Sequence, residues 1–454
     1  MKNIKLTLKP LLLLTALFIT GGLNAQEKEQ KTAFSLQEAI DYALVHNQNY
    51  LNAELEVKSA EYRNKEFVGI GLPQISASAD VKDYLSIPTS LIPAEFFGGA
   101  PGTFMPVKFG TKYNASYGIS VSQILFNSDY IVGLDAAKEL VILSEKNLQR
   151  NKVETHAIVT KAYYSAIISK ERLQIIDANI ERIKKLLDDS KALNASGFIE
   201  KLDVDRIELT YNNLIAEKDK LERIVGLAET LLKYQMGYDL ASPIVLTDVI
   251  KPDLMIDIQA LEQEKLNYEA RPEYAILQSQ RNINAIELRS KRGQYLPTLM
   301  AYGSFQNQAQ RTTFDIFDID QPWFKIGLIG ATLNVPIFSG GSKHYRVQQS
   351  KLNLQKTGNS LDYLQRSIDV EVTSSSIQFK NAFVALETQR KNKELAKSIY
   401  DTSKIKFETG VGSNLDVIYA QAAYREAEIN FLGAVYDLIV AQVDYLKAKG
   451  TLVK

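Results

Sequence analysis

The chain contains no cysteine among its 454 residues, and only three histidines. Disulfide bonds, thiol catalysis and cysteine-based zinc sites are therefore excluded. His46, His156 and His344 are scattered and show no paired-ligand spacing, so the sequence predicts no metal site. No nucleophile, base and orienting partner can be assembled from motifs. We therefore predict neither enzyme activity nor a cofactor.

The chain also lacks an excess of either charge. It has 53 basic and 53 acidic residues, and removal of residues 1–25, with three lysines and no acid, leaves 50 against 53, or a net charge of −3. Such a balance gives no electrostatic reason to expect nucleic-acid binding.

Residues 1–25 show the charged, apolar and small-residue order of a secretory signal peptide. Three lysines precede the apolar run 11–19, and small residues close the segment. An N-terminal membrane helix is the alternative, but this run is too short to cross about 30 Å of hydrocarbon. No later stretch supplies 18 apolar residues in a row. The sequence thus predicts export, and predicts no membrane-spanning helix.

Proline is absent from two long blocks, residues 107–242 and 337–454. Because proline breaks helix interiors, long helices can lie only there. Neither glycine nor proline occurs from Leu134 to Ser196, and a helix from about 128 to 196 would be about 100 Å long at about 1.5 Å per residue. A compact globule of this size needs no such helix.

Each proline-free block contains a glycine-bearing interruption of its helical pattern, at 195–200 around Gly197 in the first and at 409–414 around Gly410 in the second. Such glycines favour a helix that ends in a left-handed residue, with a new helix beyond it. We therefore predict two helical hairpins, at about 128–237 with its tip near 197 and at about 340–450 with its tip near 410.

Apolar residues in both blocks alternate steps of three and four, the spacing typical of a coiled-coil seam. Arg425 is the one break in the second series. The two series are Leu173, Ile176, Ile180, Ile183 and Leu187, and Ile418, Ala422, Ile429, Leu432, Tyr436, Ile439, Val443 and Leu446.

The two halves of the chain repeat each other. Five residues of the first hairpin recur 213 positions later, whereas Tyr50, Leu72 and Pro73 recur 224 positions later as Tyr274, Leu296 and Pro297. About eleven residues are therefore inserted in the first half, and Tyr84–Thr111 is their predicted location. We divide the chain into a signal peptide (1–25), a first repeat (26–237), a connecting segment (238–257) and a second repeat (258–454). The five hairpin residues are Gly197, Leu202, Asp203, Val204 and Gly237, matched by Gly410, Leu415, Asp416, Val417 and Gly450.

Four segments alternate apolar and polar residues with the period of two expected of strands. They lie at about 74–84, 112–122, 297–307 and 322–333, near the 9–11 residues that a tilted transmembrane strand needs. The prolines of the intervening segment 84–111 predict no regular strand there.

Four strands cannot close a barrel, and an open edge facing lipid leaves backbone groups unpaired. Several copies of the chain would therefore have to complete it. Two copies give eight strands, whose interior the side chains fill, and three give twelve strands and a lumen. The predicted fold class is mainly α, with a small transmembrane β part, in a duplicated helix-strand-helix repeat.

Short motifs in a fixed order carry a resemblance that covers essentially all of the mature chain. They are Leu36–Ile40 with Ala43 and Asn47, Gly71–Pro73 and Tyr295–Pro297 before strands, Val335–Gly341 after the fourth strand, and the two hairpin tips. In this order they resemble the outer-membrane factor family, the TolC-like efflux and secretion ducts.

The resemblance implies a homotrimer whose twelve strands lie in outer-membrane lipid and whose coiled-coil α-barrel crosses the periplasm. It implies a passive exit duct of a tripartite efflux or type I secretion system. Substrate would arrive from an inner-membrane pump of RND or ABC type through a periplasmic adaptor (membrane fusion) protein. The alternative is a periplasmic coiled-coil adaptor or scaffold without its own pore, which would not need four alternating strands and would be soluble without detergent.

The resemblance also implies a periplasmic gate at the second tip. Asp416 occupies the position of the first of two tip aspartates that form a constriction ring, whereas the second position is Tyr419 here. An arginine that some relatives carry before that acid is Gly412 here. Phe407 is a candidate bulky gate residue, although an ordinary seam residue is the alternative. Asp416 could equally be a helix-start acid, favoured by the helix dipole by about 0.3–1 kcal/mol.

Contact with an adaptor would fall at the hairpin tips. The candidate contact residues are Gly197, Leu202, Asp203, Gly410 and Leu415.

Overall fold

The structure, a computed structural model, describes residues 32–250, 266–318 and 320–453. The predicted signal peptide lies outside the described residues, as do residues 251–257 of the predicted connecting segment.

Helices dominate the described residues, and two of them, of 68 and 67 residues, are far longer than the rest. The helices are α1 (Leu36–His46), α2 (Gln48–Ile70), α3 (Ser128–Ala195), α4 (Lys201–Met236), α5 (Pro272–Gly293), α6 (Ser342–Glu408) and α7 (Asn414–Lys449). The helix predicted at about 128–196 is α3, which begins where the Asn127 side chain accepts hydrogen bonds from the backbone N–H groups of Asp129 and Tyr130.

The strands are β1 (Ala33–Phe34), β2 (Gln74–Asp83), β3 (Thr89–Pro93), β4 (Phe104–Lys108), β5 (Tyr113–Phe126), β6 (Val245–Leu246), β7 (Thr298–Arg311) and β8 (Phe324–Asn334). Four of them form an antiparallel sheet in the order β2-β5-β7-β8. In this sheet β5 and β7 are 14 residues long, beyond the predicted 9–11. Their ladder runs from the Tyr113–Arg311 pair to the Phe126–Leu299 pair, because backbone pairing does not need alternating side chains.

The prediction of no regular strand within 84–111 is wrong. There β3 and β4 pair as an antiparallel hairpin, and Ala94 N donates to Thr103 O at 2.8 Å beside its turn. Pairing alternates from that bond, so Pro93 and Pro106 fall at positions whose backbone nitrogens point away from the other strand. A missing N–H costs nothing at such an edge position.

The long helices pack side by side in two tiers. Toward the sheet, neighbouring helices contact each other in the order α2-α3-α5-α6, and toward the hairpin tips in the order α4-α3-α7-α6. In both tiers, as in the sheet, an element of the first repeat lies at one edge and an element of the second repeat at the other.

Equivalent contacts at the ends of the return helices show the internal repeat in three dimensions. Asn47 Nδ2 donates to Gln235 O at 2.7 Å, and Arg271 Nη1 donates to Ala448 O at 2.6 Å. Position 271 follows 47 by 224 residues, and position 448 follows 235 by 213. The two contacts are therefore equivalent, and each links a residue from the 224-offset region to a residue from the 213-offset region. Each half therefore fastens the start of its proximal helix (α2 or α5) to the end of its own hairpin.

The predicted apolar series of α7 accounts for only one of two packing surfaces on this helix. A second series of buried residues runs along α7 in alternating steps of three and four and packs chiefly on α6. The predicted series lies beside it, where Ile418 packs into the α3–α4 cluster and Arg425 Nη1 donates to Glu217 Oε2 at 2.7 Å. The apparent break at Arg425 is thus an ion pair with α4, and α7 carries one seam for each neighbour. The buried series is Val417, Ala420, Tyr424, Ala427, Phe431, Ala434, Leu438, Ala441, Tyr445 and Ala448.

By length and composition alone, α7 is the one candidate membrane span among the described residues. Many small apolar residues raise its mean hydropathy without forming an uninterrupted run. Half of the apolar stretch is buried inside the chain, as expected of a core helix.

Candidate functional site

Both hairpin tips have the same backbone geometry. Gly197 and Gly410 lie in the left-handed region, at φ +76° and +77°. One residue later, Phe198 N donates to Leu193 O and Val411 N donates to Lys406 O, each at 2.9 Å. The side chains of Phe198 and Val411, 79% and 82% exposed, project into solvent. Neither was among the predicted tip contacts, although their positions beside the two glycines mark them.

Asp416 and Tyr419 share one open recess at the start of α7. Lys406 and Gly412 also line it. Asp416 lies exposed in the first helical turn, and Tyr419, one turn further along the helix, is 65% exposed. The structure therefore brings together the two positions at which the resemblance implies a constriction ring.

Gly412 leaves no room for a side chain. A Cβ atom there would lie 2.9 Å from Lys406 Cβ and 3.0 Å from Phe407 N, and Gly412 N donates to Lys406 O at 2.9 Å. The arginine of some relatives could not be accommodated at this position unless the tip backbone moved.

Phe407 is half-buried inside the second hairpin. It packs against the cluster that contains Tyr400 and Val417, with Leu186 of α3 alongside. Within one chain it therefore occupies a seam position, and it does not line the recess that holds Asp416.

The first tip presents the remaining candidates. Leu202 is exposed, and Asp203 lies in the first turn of α4 with its carboxylate 3.5 Å from Arg206 Nη1. At the second tip Leu415 is half-buried, and its N–H is capped by Ser413 Oγ at 3.1 Å. The five predicted adaptor-contact residues thus lie at the two tips, and Leu202 is the largest apolar surface among them.

A polar cluster that links the two hairpins was not found from the sequence. Arg182 of α3 lies over the stacked rings of Tyr400 and Tyr424, whose centroids are 6.0 Å apart, and its Nη2 is 3.7 Å from Glu428 Oε2. Burial, with a hydrogen bond to Glu428, raises the pKa of Tyr424 to about 12. Burial also raises the pKa of Tyr400.

The available sequence signal was weak. Tyr400 and Tyr424 lie at equal distances from Gly412, so a hairpin must bring them together, but Arg182 is remote in sequence and nothing in its surroundings points to them. This cluster joins α3 to α6 and α7 near the tips.

The described residues contain no group of three or more histidine, aspartate or glutamate side chains that could hold a metal ion. The tips offer charge and shape, and the described side chains there form no recognisable reaction centre.

Residues 276–451 match the family model described as outer membrane efflux protein. The proteases secretion protein PrtF of Dickeya chrysanthemi is 22% identical over 312 residues, which are 67% of this chain and 66% of that protein. The outer membrane protein TolC of Vibrio cholerae is 21% identical over 338 residues, covering 74% of this chain and 77% of that protein.

The fold is also that of a solved channel. The crystal structure of the Campylobacter jejuni CmeC outer membrane channel superposes with a TM-score of 0.72 at 16% identity, covering 92% of this chain and 86% of that chain.

Proposed function

We propose that this chain, a TolC-like outer membrane efflux protein, is the passive exit duct of a tripartite efflux or type I secretion system. The observation that carries the proposal is the arrangement of edges that no other described element covers. The sheet and both helical tiers each end in a first-repeat element on one side and a second-repeat element on the other. Such a body is suited to head-to-tail association into a closed ring.

The sheet edges are compatible with closure by copies. Three antiparallel pairings separate β2 from β8, so these two edge strands run in opposite directions. Pairing β8 of one copy with β2 of the next therefore continues the antiparallel order. Within lipid, closure also satisfies backbone groups that would otherwise be left unpaired.

The helical edges carry apolar side chains that none of the described residues covers. The 23-residue helix α2 has no buried residue, and Leu55 and Tyr62, seven positions apart, are exposed along it. On the opposite edge, α6 exposes large apolar residues mostly at seven-residue intervals. Heptad stripes of this kind favour helix packing, and large exposed apolar patches mark interaction surfaces. The α6 residues are Tyr363, Val370, Ile377 and Val384.

Three copies suit this geometry best. Two would give an eight-stranded barrel filled by side chains, whereas three give twelve strands around a lumen. The β-barrel would lie in outer-membrane lipid and the helical part in the periplasm. The hairpin tips would form the inner end, where they meet a periplasmic adaptor protein and, through it, an inner-membrane pump of RND or ABC type.

Asp416 is the residue that we assign to the gate. In a ring of three copies its exposed carboxylate occurs three times at one depth, and a ring of acids in a pore favours cations. Tyr419 lies beside it in the same recess and would narrow the opening.

The mass of the purified protein tests the proposal. In mild detergent the mature chain should be a trimer that forms conducting pores in planar bilayers. A stable monomer or dimer without conductance would overturn it. A protein that is soluble after lysis without detergent would favour the periplasmic scaffold instead.

A further inference from the structure

The hairpin formed by β3 and β4 is an addition that a barrel does not require. Its two strands, of five residues each, pair with one another and do not join the four-stranded sheet. A two-stranded hairpin alone is at best marginally stable in water. We therefore expect the β3–β4 hairpin to be stabilised by packing against another surface.

The surface of the hairpin segment, residues 84–111, is apolar and nearly uncharged. Glu95 and Lys108 are its only charged residues, and Glu95 Oε1 already accepts the N–H of Gly102 at 2.9 Å. Several large apolar side chains are mostly exposed, Phe96 to 79%. A patch of this composition marks an interaction site. The other exposed apolar residues are Leu85, Leu91, Phe97, Phe104 and Phe109.

The position of the hairpin identifies its partner. It follows β2, a free edge of the sheet, and it lies at the same end as the connection between β7 and β8. If β2 pairs with β8 of the next copy, the hairpin borders that copy's residues 312–318. This segment exposes Phe317 to 83% and also Phe314.

We propose that the β3–β4 hairpin is a clasp between copies, which packs its aromatic face on residues 312–318 of the next copy at the outer mouth of the barrel. The inference rests on the proposed ring of copies. It adds a second contact, outside the barrel wall, that locks neighbouring sheets in register.

Disulfide trapping tests the clasp directly because the chain has no cysteine of its own. The double variant Phe96→Cys with Phe317→Cys should give, after mild oxidation, a covalent trimer that persists in denaturing gels and collapses on reduction. Phe96→Cys with Phe198→Cys is the matched control, since Phe198 is equally exposed (79%) but lies at the hairpin tip. It should remain monomeric in the same gel.

A second variant tests the same contact without depending on disulfide geometry. Leu91→Ser with Phe104→Ser should lower the temperature at which the trimer dissociates in detergent, with the helical circular dichroism unchanged. The trimer mass of the unmodified protein tests the proposed function separately. If that mass is a trimer, yet no covalent trimer forms and the serine variant dissociates at the unmodified temperature, the clasp is wrong while the duct stands.

Discussion

Gly410 shows how a single residue sets the tip. It lies at φ +77°, and a Cβ there would meet no atom within 4 Å, so alanine would add backbone strain without a clash. A left-handed alanine costs about 1–2 kcal/mol, and we expect Gly410→Ala to lower the unfolding free energy by about that much. Gly226, inside α4, is equally uncrowded, and Gly226→Ala should raise it by about 0.5–1 kcal/mol. Chemical unfolding in detergent measures the change in unfolding free energy for each variant. Changes of the same sign in the two variants would contradict the argument.

Substitution of Asp416 distinguishes a gate residue from an acid that only stabilises the start of α7. If three carboxylates form one ring, Asp416→Asn should weaken both cation selectivity and block by multivalent cations from the tip side, because three negative charges leave the narrowest point. Bilayer recordings measure both effects. Since only one acid per chain occupies the recess, the block should be weaker than in a relative with two.

Asp203→Asn is the control, because Asp203 has the equivalent first-turn position in the other repeat. Both substitutions should cost the dipole stabilisation of about 0.3–1 kcal/mol. Unchanged selectivity in Asp416→Asn would leave only that helix-dipole role.

Tyr424 should make the contact between hairpins sensitive to alkali. Burial raises its pKa to about 12 from 10.0, so the folded state favours the neutral phenol. This stabilisation is complete below pH 10 and is lost as pH rises to 12. Tyr163, also raised to about 12, contributes to the same loss, so Tyr424→Phe should reduce the pH 10–12 slope of thermal stability without abolishing it.

Among the elements, α2 would depend most on neighbouring copies in the proposed ring. Tyr62 is 67% exposed on a helix with no buried residue. Burying such a ring in a neighbouring copy stabilises by about 25 cal/mol per Å² of apolar surface, and a charge there would forfeit that gain. We expect Tyr62→Glu to reduce the trimer fraction measured by mass in detergent, while helix content is retained.

Glu56→Lys is a matched control for α2, since it changes charge at an exposed position off the Leu55–Tyr62 stripe. It should leave the trimer intact. If Tyr62→Glu assembled as well as Glu56→Lys, the α2 stripe would not lie between copies.

The sequence predicted the elements better than their contacts. Helix α3 could be predicted because 63 residues without glycine or proline leave few alternatives. The two tips could be predicted because Gly197 and Gly410 interrupt the helical pattern of their proline-free blocks. The β3–β4 hairpin could not be predicted because four prolines within 84–111 indicate irregular structure, although the backbone nitrogens of Pro93 and Pro106 point away from the paired strand. The Arg182 cluster was missed because it joins residues more than 200 positions apart, and local periodicity cannot show which helices become neighbours.

At the scale of the whole molecule, duplication explains the architecture. Each repeat supplies two strands and one hairpin, and the repeats pack with their long helices in contact, so the free edges differ in sequence. Two unlike edges cannot satisfy each other within one chain but can do so between copies. In the proposed ring of copies the lumen would be symmetric, so one acid per chain would suffice for a gate.

The direction of the molecule across the membrane is fixed by which end of the sheet faces outward. The hairpin turn between Phe97 and Phe104 contains three glycines and an alanine-proline pair, the kind of exposed loop tip that proteases cut first. We expect proteinase K added to intact cells to cleave within residues 84–111. The tips at Gly197 and Gly410 should be cut only after the outer membrane is opened, which supplies the control within the same chain. In the opposite result, the tips would be cut in intact cells and residues 84–111 only after the membrane is opened. That result would reverse the proposed topology and place the adaptor-contact residues on the cell surface.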